Sequence, residues 1–236
     1  MNYKSQMGQD KILDSQLFGG KRNGVFVEVG ALDGISGSNT YFFEKERDWT
    51  GILIEPNPIE FKKLLESDRP LSIKENSVIS SEETEVNFLS IGGPCNVLSG
   101  ILEFYNPKHL ERVDRELKMY ESYPEGHEYY STKELIKLNA NKLQTIFDKN
   151  GIKEVDLLSI DVEGAEMQVL ESIDYDKTDV FCILIENNYG LDKEIKFLQD
   201  KGYTLLGNIE WDLVLIKNKK NSKVRMVVFL FLTVIS

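Results

Sequence analysis

Cysteine and histidine are both scarce in this chain of 236 residues, two of each, and the scarcity narrows its chemistry. Cys95 and Cys182 have no CxxC spacing and no histidine pair nearby. That excludes a zinc site or disulfide framework of the usual pattern and fits a reducing, cytoplasmic setting. Long apolar runs are missing too. No stretch reaches the roughly 18 apolar residues that a bilayer-crossing helix needs, and the opening Met1 to Gln6 lacks the apolar run of a secretory leader. Basic residues are few: 28 Lys and Arg against 39 Asp and Glu, a net of −11. Five of the bases (Lys217, Lys219, Lys220, Lys223, Arg225) fall in the last twenty residues, which hold no acid, so the rest of the chain carries 23 bases against 39 acids, or −16. A body that acidic repels phosphate backbones, which argues against a general nucleic-acid binder and for a neutral or cationic small partner.

What remains is an ordinary globular composition, 41% hydrophobic and 28% charged, over a length that suits one domain. Short β-branched runs alternate with helical segments, the pattern of a mostly parallel sheet covered on both faces. Strands are expected at Val25 to Val29, Gly51 to Glu55, Leu71 to Lys74, Asp156 to Ile160 and Val180 to Glu186, with Tyr203 to Gly207 and Leu213 to Lys217 as an antiparallel closing hairpin. Helices are expected at Asn39 to Glu46, Pro58 to Glu66, Ala165 to Glu171 and Asp192 to Lys201. From about Gly92 to Asn141 the alternation lapses. This stretch holds both histidines, three of six prolines and five of ten tyrosines, and reads as an inserted lid. Within it Asn106-Pro107 is an N-cap and first-turn proline for a charged helix to about Tyr120. The domain is therefore expected over residues 1–217, followed at 218–236 by a basic and apolar tail that packs as an extra element, lies on a membrane surface or aggregates.

The first strand runs into Glu28-Val29-Gly30-Ala31-Leu32-Asp33-Gly34. Glycines at a strand-to-helix turn let the backbone bend tightly and let a ligand come close, although one such loop is equally a structural turn. Glu55 ends the next strand and is followed by Pro56, where an acid can accept both hydroxyls of an adenosine ribose. A dinucleotide loop would read G-x-G-x-x-G. Here E-x-G-x-x-x-G leads with an acid, ill suited beside a pyrophosphate and better suited to S-adenosylmethionine, which carries an ammonium and a sulfonium.

The segments Ser5-Gln6-x-Gly8-Gln9-Asp10, VFVEVGALDG, Ser38-Asn39-Thr40, GILIEPNP, LLSIDVEGAE (Leu157 to Glu166) and ILIENN closely resemble the FkbM family of S-adenosylmethionine-dependent methyltransferases, from about Ser5 to Ile216. The resemblance implies a class I methyltransferase (Rossmann-like) fold, a seven-stranded mostly parallel sheet with an antiparallel C-terminal hairpin. It also implies O-methylation of a hydroxyl, commonly of a sugar in a glycan or glycosylated metabolite. A nucleic-acid ribose, a small non-sugar acceptor and a catalytically silent cofactor-binding module are the alternatives; oligomeric state is left open. On this resemblance Gln6, Gln9, Asp10, Glu28, Gly30, Ala31, Asp33, Gly34, Asn39, Glu55, Pro56, Asn76, Ser77, Asp161 and Glu163 are expected around the cofactor. Asn76 is equally a turn residue, and Gln6, Gln9 and Asp10 equally cap a helix near Asp10. Asp161, Glu186 and Asn187 end neighbouring strands and offer oxygen ligands of the kind Mg²⁺ or Mn²⁺ takes, unless Asp161 and Glu186 bind acceptor and cofactor directly. Asp161, Glu163, His109 and His127 are the candidates for removing the hydroxyl proton. The lid tyrosines Tyr105, Tyr120, Tyr123, Tyr129 and Tyr130 either stack on sugar faces or form the lid's own core, and Arg112 and Arg115 are placed to steer an acceptor.

Overall fold

A computed structural model describes residues 2–218. The tail expected to pack, bind membrane or aggregate lies outside the described residues beyond 218. Eleven strands are described: β1 (Val25–Val29), β2 (Thr50–Ile54), β3 (Ser72–Glu75), β4 (Val78–Ile79), β5 (Glu85–Gly92), β6 (Gly100–Ile101), β7 (Thr132–Asn141), β8 (Glu154–Ile160), β9 (Asp179–Glu186), β10 (Tyr203–Ile209) and β11 (Asp212–Lys217). The α-helices are α1 (Gln9–Ile12), α2 (Tyr41–Arg47), α3 (Pro58–Glu66), α4 (Pro107–Tyr120), α5 (Leu143–Asn150), α6 (Glu166–Glu171) and α7 (Asp192–Asp200).

Seven strands form the main sheet in the order β10-β11-β9-β8-β1-β2-β3. Strands β3, β2, β1, β8 and β9 run parallel, and β11 pairs antiparallel with both β9 and β10. The sheet and its closing hairpin are those expected from the sequence. Their legibility has a physical cause. A strand buried on both faces is apolar throughout, and alternate residues fill two cores: Val27, Val29, Ile52 and Ile54 lie on one face, Phe26 and Leu53 on the other. Leu143 and Phe147 of α5, Val169 of α6 and Leu198 of α7 cover the first face; Phe42 and Phe43 of α2 and Leu64 of α3 cover the second.

The insertion differs from the expected irregular lid. Strands β4, β7, β5 and β6 build a second, four-stranded sheet, with β5 and β7 paired antiparallel from Glu85↔Asn139 to Gly92↔Thr132. The inserted unit thus starts before Gly92, and its long strands β5 and β7 hold α4 between them in sequence. Helix α4 itself matches expectation: Asn106 caps it by accepting a hydrogen bond from the Lys108 N–H at 2.9 Å, with Pro107 in the first turn.

Beside the first glycine loop, Arg69 is fully buried and paired with Glu44 at 2.7 Å, and it donates to the Gly34 carbonyl and the Thr40 hydroxyl. This buried ion pair is satisfied on all sides, the condition under which such a pair is tolerated. It fixes where the loop between β1 and α2 can run.

Candidate active site

Because β1, β2, β8 and β9 are parallel, their carboxyl ends share one edge of the sheet. The chain order reverses at β1, which has β2 on one side and β8 on the other. Open α/β sheets bind ligands in the crevice beyond such a point. A cleft lies there, about 640 Å³ measured out to its mouth, walled by Gly30, Leu32, Glu55, Pro56, Ser77, Asp161 and Glu163, with Gln6 at its side. Its remaining wall comes from the insertion, including Asn96, Val97, Ser99 and Ile101.

Gly30 has φ +88, and a Cβ there would stand 1.8 Å from the Asp161 carbonyl oxygen, so no other residue fits between β1 and the loop after β8. Glu55 is buried at the cleft wall and accepts hydrogen bonds from the Leu32 N–H at 2.8 Å and the Asn57 N–H at 2.7 Å. Burial pushes its carboxyl up to about 7 against the opposing pull of those two N–H groups. Each carboxylate oxygen keeps a further acceptor position.

Other residues expected at the cofactor lie behind the wall. Glu28 was expected to face the ligand; instead its carboxylate is taken up by the Ser38 and Thr40 hydroxyls and the Asn39 N–H, at 2.7, 2.6 and 2.8 Å. It shapes the loop. Asp33 closes a local turn by accepting from Ile35 N–H, Ser36 N–H and Ser36 hydroxyl. Ala31 is buried in the core and Gly34 (φ +75) sits against Leu64. Asn39 donates to Ser159, and Asn76 donates to the Glu55 and Pro56 carbonyls, the turn role rather than the adenine one. Ser77 lines the cleft, its hydroxyl accepting from Asn141. Of the N-terminal set only Gln6 reaches the cleft. Asp10 accepts from Lys4 N–H, Ser5 N–H and Ser5 hydroxyl, and Gln9 donates to Asp212.

At the other end of the cleft three carboxylates converge. One oxygen each of Asp161, Glu163 and Glu186 lies within 4.8 Å of the others. Burial first, then the charges of Glu186 and Glu163, push Asp161 well above the usual carboxylate range. Burial and Glu163 likewise push Glu186 up to about 7. Asn187 is not the third member: its side chain accepts from the Gly190 N–H and closes the loop after β9. Glu163, expected for other reasons, takes that place.

The two histidines part company. His127 is exposed and stacks on Tyr123 at 4.6 Å among Tyr120 and Tyr129, away from the cleft. His109 is fully buried, with Nδ1 3.1 Å from both Glu163 Oε2 and the Tyr189 hydroxyl, but it does not line the cleft. Arg112 pairs with Glu116 and stands 3.7 Å from Glu163, and Tyr105 is buried, donating to the Leu98 carbonyl. Sequence reasoning missed Tyr189 and Asn188, which meet this group from the loop after β9; the doubled asparagine of ILIENN was its one signal.

A family model described as the methyltransferase FkbM domain matches residues 28–205. The chain belongs to the FkbM methyltransferase family. Such domains generally draw on S-adenosylmethionine, and the edge of the sheet carrying Gly30, Glu55 and Asp161 falls inside the matched region. Among solved structures, the methyltransferase FkbM from Methylobacillus flagellatus KT is similar at 14% identity and a TM-score of 0.44, over 83% of this chain and 43% of that one. This chain therefore spans less than half the length of that protein. No curated protein matches significantly. Among the described residues no helix is long and apolar enough to cross a membrane.

Proposed function

We propose that the chain is an S-adenosylmethionine-dependent O-methyltransferase acting on a hydroxyl, that of a sugar in a glycan or glycosylated metabolite. The observation that carries the reading is Glu55, a buried carboxylate at the end of β2, lining the same cleft as the bare backbone of Gly30. The donor set fits a nucleoside: Glu55 accepts from ribose hydroxyls, the Gly30 backbone lines the cleft beside it, and the apolar Val29, Leu32, Val78, Ile79 and Phe88 take an adenine ring. When bound, the cofactor supplies a methyl group already activated by its sulfonium. The protein's share is then alignment and removal of the acceptor proton. Asp161 and Glu163 border the cleft where that proton must leave. Among the described residues the cleft wall carries acids and no lysine, which favours an uncharged hydroxyl acceptor over a phosphate-bearing one and so disfavours a nucleic-acid ribose.

One observation favours a second arrangement at the same place. The trio of Asp161, Glu163 and Glu186 is compact enough to hold Mg²⁺ or Mn²⁺, which would acidify the acceptor hydroxyl. Full turnover in EDTA, unchanged by added Mg²⁺ or Mn²⁺, removes this arrangement.

The test is incubation with methyl-labelled cofactor and a panel of glycans bearing free hydroxyls, with mass spectrometry to locate the methyl. The expected product is an O-methyl sugar, absent with Asp161→Ala. Methyl found on nitrogen or carbon, or none on any acceptor class, refutes the reading.

A further inference from the structure

We infer that His109 is a positioning residue for Glu163, fixing from the insertion the carboxylate that borders the acceptor end of the cleft. The role given to Glu163 rests on the function proposed above; the geometry does not. Glu163 has φ +53, a backbone region that side chains other than glycine rarely adopt, and stands among two further acids, Asp161 and Glu186. Left to itself, its carboxylate would turn away from them. Three groups hold it: the His109 ring with Nδ1 3.1 Å from Oε2, the Asn188 amide donating to Oε2 at 3.2 Å, and the Arg112 guanidinium 3.7 Å from Oε1. His109 and Arg112 lie three residues apart on α4, so one helix face brings both.

The imidazole is itself held. Its Nε2 stands 3.3 Å from the Leu98 carbonyl. A carbonyl and a carboxylate oxygen both only accept, so a ring that bridges Leu98 and Glu163 carries a hydrogen on each nitrogen and meets Glu163 as an imidazolium. The Tyr105 ring meets the imidazole edge-on at 4.3 Å, and the Tyr105 hydroxyl donates to the same Leu98 carbonyl. Fully buried and set back from the cleft wall, His109 cannot touch an acceptor in this arrangement. It acts through Glu163, and ties docking of α4 to assembly of the site.

The experiment has two arms. The chain has two histidines, so imidazole ¹⁵N spectra of the ligand-free protein contain one informative ring and, in exposed His127, one internal control. Glu163→Gln is expected to move the His109 Nδ1 resonance and leave His127 in place. In turnover, His109→Leu keeps the bulk but no donor, and kcat should fall roughly 10- to 100-fold, the usual penalty for losing an outer partner of a reacting group. KM for S-adenosylmethionine should stay within about threefold, since that cleft wall is untouched. His109→Gln, whose amide nitrogen carries two N–H groups, should recover most of the loss. An unmoved His109 resonance in Glu163→Gln overturns the inference, as does His109→Gln turning over no faster than His109→Leu. The first arm needs no acceptor, so it decides the matter even if no methyl transfer is found; if His109→Leu does not fold, the Gln variant against wild type carries the second.

Discussion

Replacing Glu55 by glutamine tests the cofactor end of the cleft at the price of one atom. In the folded protein both carboxylate oxygens already accept a backbone N–H, from Leu32 and Asn57. Glutamine keeps one acceptor and turns an NH₂ group toward the other N–H, so a donor faces a donor and the ribose loses a charged acceptor. A hydrogen bond to a charged group contributes about 1.5–3 kcal/mol, which predicts S-adenosylmethionine binding weakened about 10- to 150-fold. Calorimetric titration at pH 8, above the raised value of Glu55, measures it, with circular dichroism to confirm the fold. A pH series gives the sign independently. Below about 7 the Glu55 carboxyl is increasingly protonated, so wild-type affinity should rise as pH climbs from 6 to 8 and then level off, while Glu55→Gln keeps only the smaller rise that Glu186 contributes. Equal affinity of the two proteins, within about threefold at pH 8, would refute the placement of ribose against Glu55.

Gly30→Ala should cost at least ~2 kcal/mol in urea unfolding, because φ +88 is strained for alanine and its Cβ would overlap the Asp161 carbonyl; an unchanged midpoint contradicts the close approach. Arg69→Met leaves Glu44 charged and buried without its partner, and should destabilise by roughly 3–5 kcal/mol, with Arg69→Met/Glu44→Leu recovering part of it. The raised carboxyls of Glu186 and Glu55 set the pH dependence of stability: they hold protons in the folded chain that the unfolded chain releases near pH 4. Their contribution is therefore complete below that pH and is lost as pH rises through about 7, so the ligand-free Tm should fall between pH 5.5 and 8. A rising Tm over that window contradicts the burial of these acids.

Segments buried on both faces were legible, because burial leaves little room for polar residues: VFVEV, whose one acid is satisfied by the following loop, GILI and ILIE could be little else than central strands. Strand β7, TKELIKLNAN, escaped notice because half of it is exposed and its two lysines and one glutamate read as loop, while β4 and β6 have only two residues each and no pattern to find. The cleft-lining positions of Gly30, Glu55 and Asp161 were legible from their place at strand ends. Glu28 was misplaced because strand position says which edge an acid is near but not which donors fill it; the hydroxyls of Ser38 and Thr40 were in the sequence, eleven residues or so away, with no rule to connect them. Glu163 took the place expected of Asn187 for a similar reason. The choice depends on the left-handed turn at Glu163 and the Asn187 to Gly190 closure, and neither is a periodic feature.

The most direct measurement of the central claim is a crystal structure of the protein with S-adenosylhomocysteine. The ribose hydroxyls should lie within hydrogen-bond distance of Glu55, the backbone of Gly30 against the ligand, and the sulfur directed toward Asp161 and Glu163. A ligand seated elsewhere, or in this cleft with its ribose away from Glu55, would contradict it.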